Sequence, residues 1–185
     1  AGYKTVKTSP AIVQLKTVND ITKQLKGIKV DALVCLKING KKERQEFGEV
    51  LFCDYGLSGP AVMQVSRAVS RTKNESEISL DLLPDTDFDS LYKNLKVRAK
   101  NLSYRSLDEF FTGMLNKRLG QVILKSCGLA LNSKTDALSD NNLKDLAQKI
   151  KNFEFKVIGT TGYSNSQVTA GGLSTDQFSP ETMES

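Results

Sequence analysis

The sequence predicts an α+β protein: a mostly antiparallel, β-barrel-like domain that carries an inserted small helical domain. Three observations predict it. Apolar residues alternate with a period of two before Pro84, recur at helical spacing between Asp85 and Asn152, and alternate again from Phe153. Strands on both flanks can share one sheet while the helices between them stand apart. The chain therefore divides into residues 1–84, the first part of the barrel-like domain, 85–152, the helical insert, and 153–185, which begins with the second part of the barrel.

The first strand is read at Ala11 to Leu15. The clearest is Ile28 to Ile38, where Ile28, Val30, Ala32, Val34, Leu36 and Ile38 put six apolar side chains on one face. Asn39-Gly40 follows, a dipeptide able to take the positive φ angles of a tight hairpin, and Phe47 to Phe52 forms the returning strand. Pro60 to about Ser70 reads as a helix and Ile78 to Leu82 as a strand. In the insert, Phe88, Leu91, Tyr92, Leu95 and Ala99 repeat at helical spacing behind Asp85 and Asp87 as N-cap candidates. Ser106-Leu107-Asp108-Glu109 has the spacing of a capping box and opens a helix, or a kinked pair, from Leu107 to Cys127, with Gly128 placed to end it. Ser139 caps a last helix through Leu143, Leu146, Ala147 and Ile150. Phe153, Phe155 and Val157 resume the strand pattern, and Gln167 to Ala170 offers another strand.

At 185 residues with 39% hydrophobic residues, the chain can bury a core without disulfide or metal staples. The net charge of +5 comes from 26 basic residues dispersed among 21 acidic ones, a mildly basic surface without the clustered cations of a nucleic-acid-binding face. Cys35, Cys53 and Cys127 are odd in number and widely spaced, which indicates neither a disulfide framework nor a zinc site and suits the cytoplasm. No apolar run reaches the length of a membrane span, and none forms a signal-peptide core. Histidine is absent, which removes the commonest general base and metal ligand. Asp85, Asp87 and Asp89 alternate but lack the glycine and distal glutamate of a calcium loop, so no metal is expected, and no phosphate-binding GxxxxGK[ST] or GxGxxG occurs.

Two stretches ask for more than packing. In VLFCDYGLSGPAVMQVS, Val50 to Ser66, a strand ends at Phe52, Gly56 and Gly59 permit a tight turn, and Pro60 suits the first turn of a helix. That geometry serves an anion or a cofactor edge, or equally a plain strand-to-helix corner. In Gln167 to Leu173, Ala170-Gly171-Gly172 leaves backbone without side-chain cover, open to a ligand or a neighbouring domain, or simply forming a hairpin. Phe110, Phe111 and Met114 of the insert read either as core or as the face of a lid.

Three stretches resemble one family: FCDYGLSGPAVMQVS (Phe52 to Ser66), LNKRLGQVIL (Leu115 to Leu124) and QVTAGGLSTDQFSPETMES (Gln167 to Ser185). They are similar, in the same order, to the YhiN-like flavoproteins, NAD(P)/FAD-dependent oxidoreductases in which a barrel-like domain and a small helical domain are inserted between two halves of a FAD-binding domain. The resemblance spans about Tyr3 to Ser185. It implies that this chain is the inserted, substrate-side region of a longer flavoenzyme, cut on both sides, with residues 153–185 leading into the missing FAD domain. That domain is its implied partner, FAD is implied for the full-length protein but none is expected to bind this chain alone, and the substrate is an unidentified small molecule. By the same resemblance Tyr55, Gly56, Leu57, Ser58 and Gly59, together with Thr169, Ala170, Gly171 and Gly172, are expected near the flavin-domain interface; no catalytic residue is assigned. The rival readings are a free-standing protein- or nucleic-acid-interaction module and a non-catalytic barrel closed around a ligand.

Overall fold

The computed structural model describes residues 2–18 and 20–184. Ala1, Asn19 and Ser185, the last of which closes the C-terminal stretch quoted above, lie outside the described residues. In chain order the elements are β1 (Thr5–Ala11), β2 (Leu15–Thr17), α1 (Ile21–Gln24), β3 (Lys29–Ile38), β4 (Lys41–Cys53), β5 (Gly56–Ser58), α2 (Pro60–Arg71) and β6 (Ser76–Asp81). Then follow α3 (Phe88–Asn101), α4 (Lys117–Ser126), α5 (Asp140–Lys151), β7 (Phe153–Thr160) and β8 (Val168–Leu173).

Six strands close a barrel in the order β2-β5-β4-β3-β6-β7, with every neighbouring pair antiparallel. Closure leaves no free edge among them. The alternating residues of β3 point inward as their period requires: Ala32, Val34 and Leu36 are fully buried, while Leu33 and Cys35 are half-buried. Asn39 and Gly40 take φ of 48° and 73° at the hairpin tip, so the turn is of the expected positive-φ kind. Phe52, Leu57, Ile78, Phe153 and Phe155 fill the interior. The barrel is thus packed with side chains, and the open cleft beside α2 lies outside it.

Three expectations need correction. The returning strand begins at Lys41 rather than Phe47, because the backbone ladder to β3 continues through a charged segment that has no apolar alternation to betray it. The strand expected over Ala11 to Leu15 is two strands: β1 pairs with β8 in a separate ribbon, the chain turns at Ile12, and β2 enters the barrel wall between β5 and β7. The helix expected from Leu107 to Cys127 is confined to α4. Leu107–Glu109 is a single 3-10 turn, Gly113 (φ 79°) breaks the path, and the Asn116 side chain accepts from Arg118 N and Leu119 N at 3.0 and 3.4 Å to start α4 afresh.

The capping box also moves. Ser106 Oγ bonds to the Asp108 carboxylate and Glu109 pairs with Arg105, so the box expected there does not form. The reciprocal pair is Ser139 and Asn142 at the start of α5, where Asn142 N donates to Ser139 Oγ and Ser139 N donates to Asn142 Oδ1. Asp87 caps α3 by accepting from Ser90 N at 2.9 Å, and the Ser90 amide, with its hydroxyl, holds the carboxyl below the ordinary carboxylate value. Gly128 ends α4 as expected: Gly128 N bonds to Lys125 O and Leu129 N to Leu124 O, the paired bonds of a Schellman motif.

The helices bury one face of each against the others and against the barrel. Leu91, Leu95, Phe110, Leu119, Ile123 and Leu146 belong to the same continuous core as the barrel interior. Phe110 and Phe111 are buried in it edge to face, with ring centroids 5.0 Å apart, so they serve packing. Lys151 ties α5 to the end of β6, with Nζ 2.6 Å from Asp81 Oδ2 and hydrogen bonds to Leu83 O and Thr86 O. Among the described residues no helix is long and apolar enough to cross a membrane.

Candidate functional site

The β1–β8 ribbon stands beside the barrel, and α2 lies between them against β4 and β1. Where these meet is an open cleft of about 940 Å³. One wall is the start of α2 and the strand before it: Ser58, Gly59, Pro60, Met63 and Gln64. The facing wall is ribbon, from Gln167 to Gly171 with Ala11 and Ile12. Leu51 and Glu49 of β4 complete it, and Arg44 and Arg67 stand at one end.

Local sequence explains each wall. Gly59 takes φ 101° at the helix N-cap, and a Cβ built there would sit 2.3 Å from Glu49 O, so only glycine lets the corner press against β4. Pro60 then supplies the fixed φ of a first helical turn, and Met63 N closes that turn on Gly59 O at 2.9 Å. Ser66 Oγ donates to Met63 O and accepts from Val13 N at 3.1 Å, which pins the β1–β2 crossing to α2. Ile12, at that crossing, holds φ 50°, a left-handed conformation strained for a β-branched residue. On the ribbon side Gly171 has φ 100°, and a Cβ there would lie 2.6 Å from Lys7 O, so the two strands of the ribbon meet closely beneath the cleft wall.

Of the residues singled out from the sequence, Ser58, Gly59, Thr169, Ala170 and Gly171 line this one cleft. Two stretches more than a hundred residues apart thus face each other. Tyr55, Gly56 and Gly172 do not line it. Gly56 sits in the barrel wall, paired to Lys16 on one side and Cys53 on the other, and Leu57 is fully buried in the interior. Tyr55 lies in the β4–β5 turn beside Cys53 and Ser58 with 38% of its surface exposed, and the desolvation of its packed side, with the neighbouring thiol, pushes its phenol up to about 12. Ile12, Arg44, Glu49, Met63, Gln64 and Arg67 were missed. The helical spacing of Pro60, Met63, Gln64 and Arg67 was a readable signal; the arrival of Arg44 depends on hairpin register and was not.

The Tyr55 environment makes a prediction at high pH. A phenol whose folded value lies above its unfolded value of about 10 holds its proton more tightly in the fold, so it contributes stability below that value which is lost as pH rises towards about 12. Spectrophotometric titration of the five tyrosines is expected to show a late-ionising phenol that Tyr55→Phe removes. Loss of an ordinary phenol instead would place Tyr55 in water.

Comparison with known proteins gives a family and relatives. A family described as the HI0933-like protein barrel and H2TH domain matches residues 9–168. A 3-dehydro-bile acid delta(4,6)-reductase of Clostridium scindens is 28% identical over 187 aligned positions, covering all of this chain and 46% of that protein. Ribosomal RNA dihydrouridine synthases of Haemophilus influenzae and Escherichia coli are each 30% identical, covering 75% and 86% of this chain and 33% and 37% of theirs. The chain therefore spans less than half the length of these curated relatives.

Proposed function

The chain belongs to the HI0933-like family, and on that premise we propose that it is the barrel and helical portion of a cytoplasmic, FAD-dependent and NAD(P)-linked oxidoreductase that reduces a carbon–carbon double bond. The observation that carries this reading is the convergence of Ser58–Gly59 and Thr169–Gly171 on one cleft. The relatives' names support the reaction class: a delta(4,6)-reductase and a dihydrouridine synthase both describe addition of two hydrogens across such a bond. The partner is a FAD-binding domain of the same longer polypeptide, seated over the cleft, and without it this chain is inactive.

The residues fit one side of such a site. Leu51, Met63 and Ile12 beside the peptide groups of Thr169 to Gly171 make a wall suited to the edge of a flat conjugated ring, while the strand–helix corner lacks the glycine fingerprint that holds a dinucleotide. A bound reduced flavin supplies the hydride in this chemistry. The chain's own part is to close the cleft against water, to orient substrate on the α2–ribbon walls, and to offer Ser58, a largely buried residue of the lining, as a polar group at the corner.

The test is the visible spectrum of the longer polypeptide beside this chain. We expect flavin bands that NAD(P)H bleaches anaerobically in the longer protein, and none in the chain alone. A colourless longer polypeptide that releases no FAD on denaturation refutes the reading.

A further inference from the structure

Beyond Arg44 and Arg67 the cleft continues into a second concavity of about 470 Å³, lined by Arg44, Arg67, Arg71 and Thr72 with Ile38 and Glu43. Arg67 and Arg71 are one turn apart on α2, and both are exposed. Like charges at that spacing repel and cost the helix a few tenths of a kcal/mol. Some cations are neutralised by carboxylates, among them Lys26 with Asp54, Lys29 with Glu49, Lys37 with Glu77 and Glu154, and Lys96 with Asp140. Neither Arg67 nor Arg71 has an ion pair among the described residues.

The acids nearby do not cancel them. Glu49 is engaged by Lys29 at 3.0 Å and Glu46 by Arg44 at 2.6 Å, which leaves Glu43 against the two unpaired guanidinium groups of Arg67 and Arg71, with Arg44 beside them. Concave walls of low dielectric concentrate such a field, and guanidinium forks match phosphate oxygens two at a time.

We propose that Arg44, Arg67 and Arg71 form a phosphate-recognition site that extends the cleft and holds a phosphate group of the ligand that enters it. The phosphate belongs either to a nucleotide or to an oligonucleotide backbone, and the chemistry of recognition is the same. This rests on the reading of the cleft as a ligand site, but not on the presence of flavin. Dispersal along the sequence hides the site: Arg44 comes from a strand, Arg67 and Arg71 from a helix, and the fold alone brings them together.

The experiment measures binding by this chain of two probes, ADP and a fluorescent single-stranded RNA of roughly ten nucleotides, at several salt concentrations. Three versions are compared: the unaltered chain, Arg67→Ala/Arg71→Ala, and Lys93→Ala/Lys117→Ala, which removes the same charge from the helical insert. At least one probe should bind saturably, weaken about tenfold or more in the arginine double variant, and stay within about twofold in the lysine one. If the RNA is the ligand, the slope of log affinity against log salt falls by about 1.4 in the arginine variant; if ADP alone binds, the source is a nucleotide. Arg67→Lys/Arg71→Lys, which keeps charge and helix propensity, should recover only part of the loss, since the fork is gone. Saturable binding of neither probe, or equal weakening by both alanine double variants, overturns the proposal. Because no probe involves flavin, either failure is separable from the spectral test of the longer protein.

Discussion

Truncating Phe155 to alanine is expected to lower the stability of the chain by about 3–5 kcal/mol. Its side chain is fully buried at the centre of the barrel, with its ring 5.9 Å from Phe52 and 4.7 Å edge-on from Phe153. On β7 it stands opposite Ile78 of β6, so its loss opens a cavity against a strand pair fixed by backbone hydrogen bonds. A closed barrel collapses onto such a void poorly, which favours the upper part of the range. At about 2–4 °C per kcal/mol for a domain of this size, Tm falls by roughly 6–20 °C. Chemical denaturation gives the same quantity with the m-value as a check. A loss under about 1 kcal/mol would mean that the interior is not packed around these three rings.

Replacing Gly59 by alanine is expected to cost at least about 2 kcal/mol, from a left-handed φ combined with a Cβ 2.3 Å from Glu49 O and 3.1 Å from Leu51 N. Both atoms are backbone of the barrel wall and cannot rotate aside. The first turn of α2 must therefore move away from β4, and it carries Pro60 and Met63 with it. The variant is thus expected to lose stability and to distort one wall of the cleft together. Gly128→Ala is the comparison: a Cβ there meets nothing within 4 Å, so only the φ of 74° is strained and the loss is smaller. Equal losses at the two positions would show that the close approach to Glu49 is not what fixes Gly59.

What the sequence disclosed follows from distance along the chain. The alternation of Ile28 to Ile38, the Asn39-Gly40 turn, the Ser139 cap and the Gly128 stop are decided by neighbours within a few residues, and each stands where local chemistry put it. The break at Ile12 was not legible, because nothing local favours φ 50° at a β-branched residue, and the hydrogen bond from the next amide goes to Ser66, far along the chain. The 107–127 segment misled because its apolar spacing is helical throughout, whereas Asn116 and Gly113 divide it. Glycine content drew attention equally to Gly56, Gly59, Gly171 and Gly172, but only the pairing of β1 with β8 and of β2 with β5 decides which of them meets the cleft. The same applies to Arg44, whose place beside Arg67 is set by the β3–β4 register.

The most direct test of the account is amide hydrogen exchange on the longer polypeptide, compared with and without bound FAD. The cleft reading predicts that FAD slows exchange at residues 58–64 and 167–171, the two walls, while the β3–β4 hairpin tip and the outer face of α3 are unchanged. Protection confined to the helical insert, with both cleft walls unaffected, would contradict it.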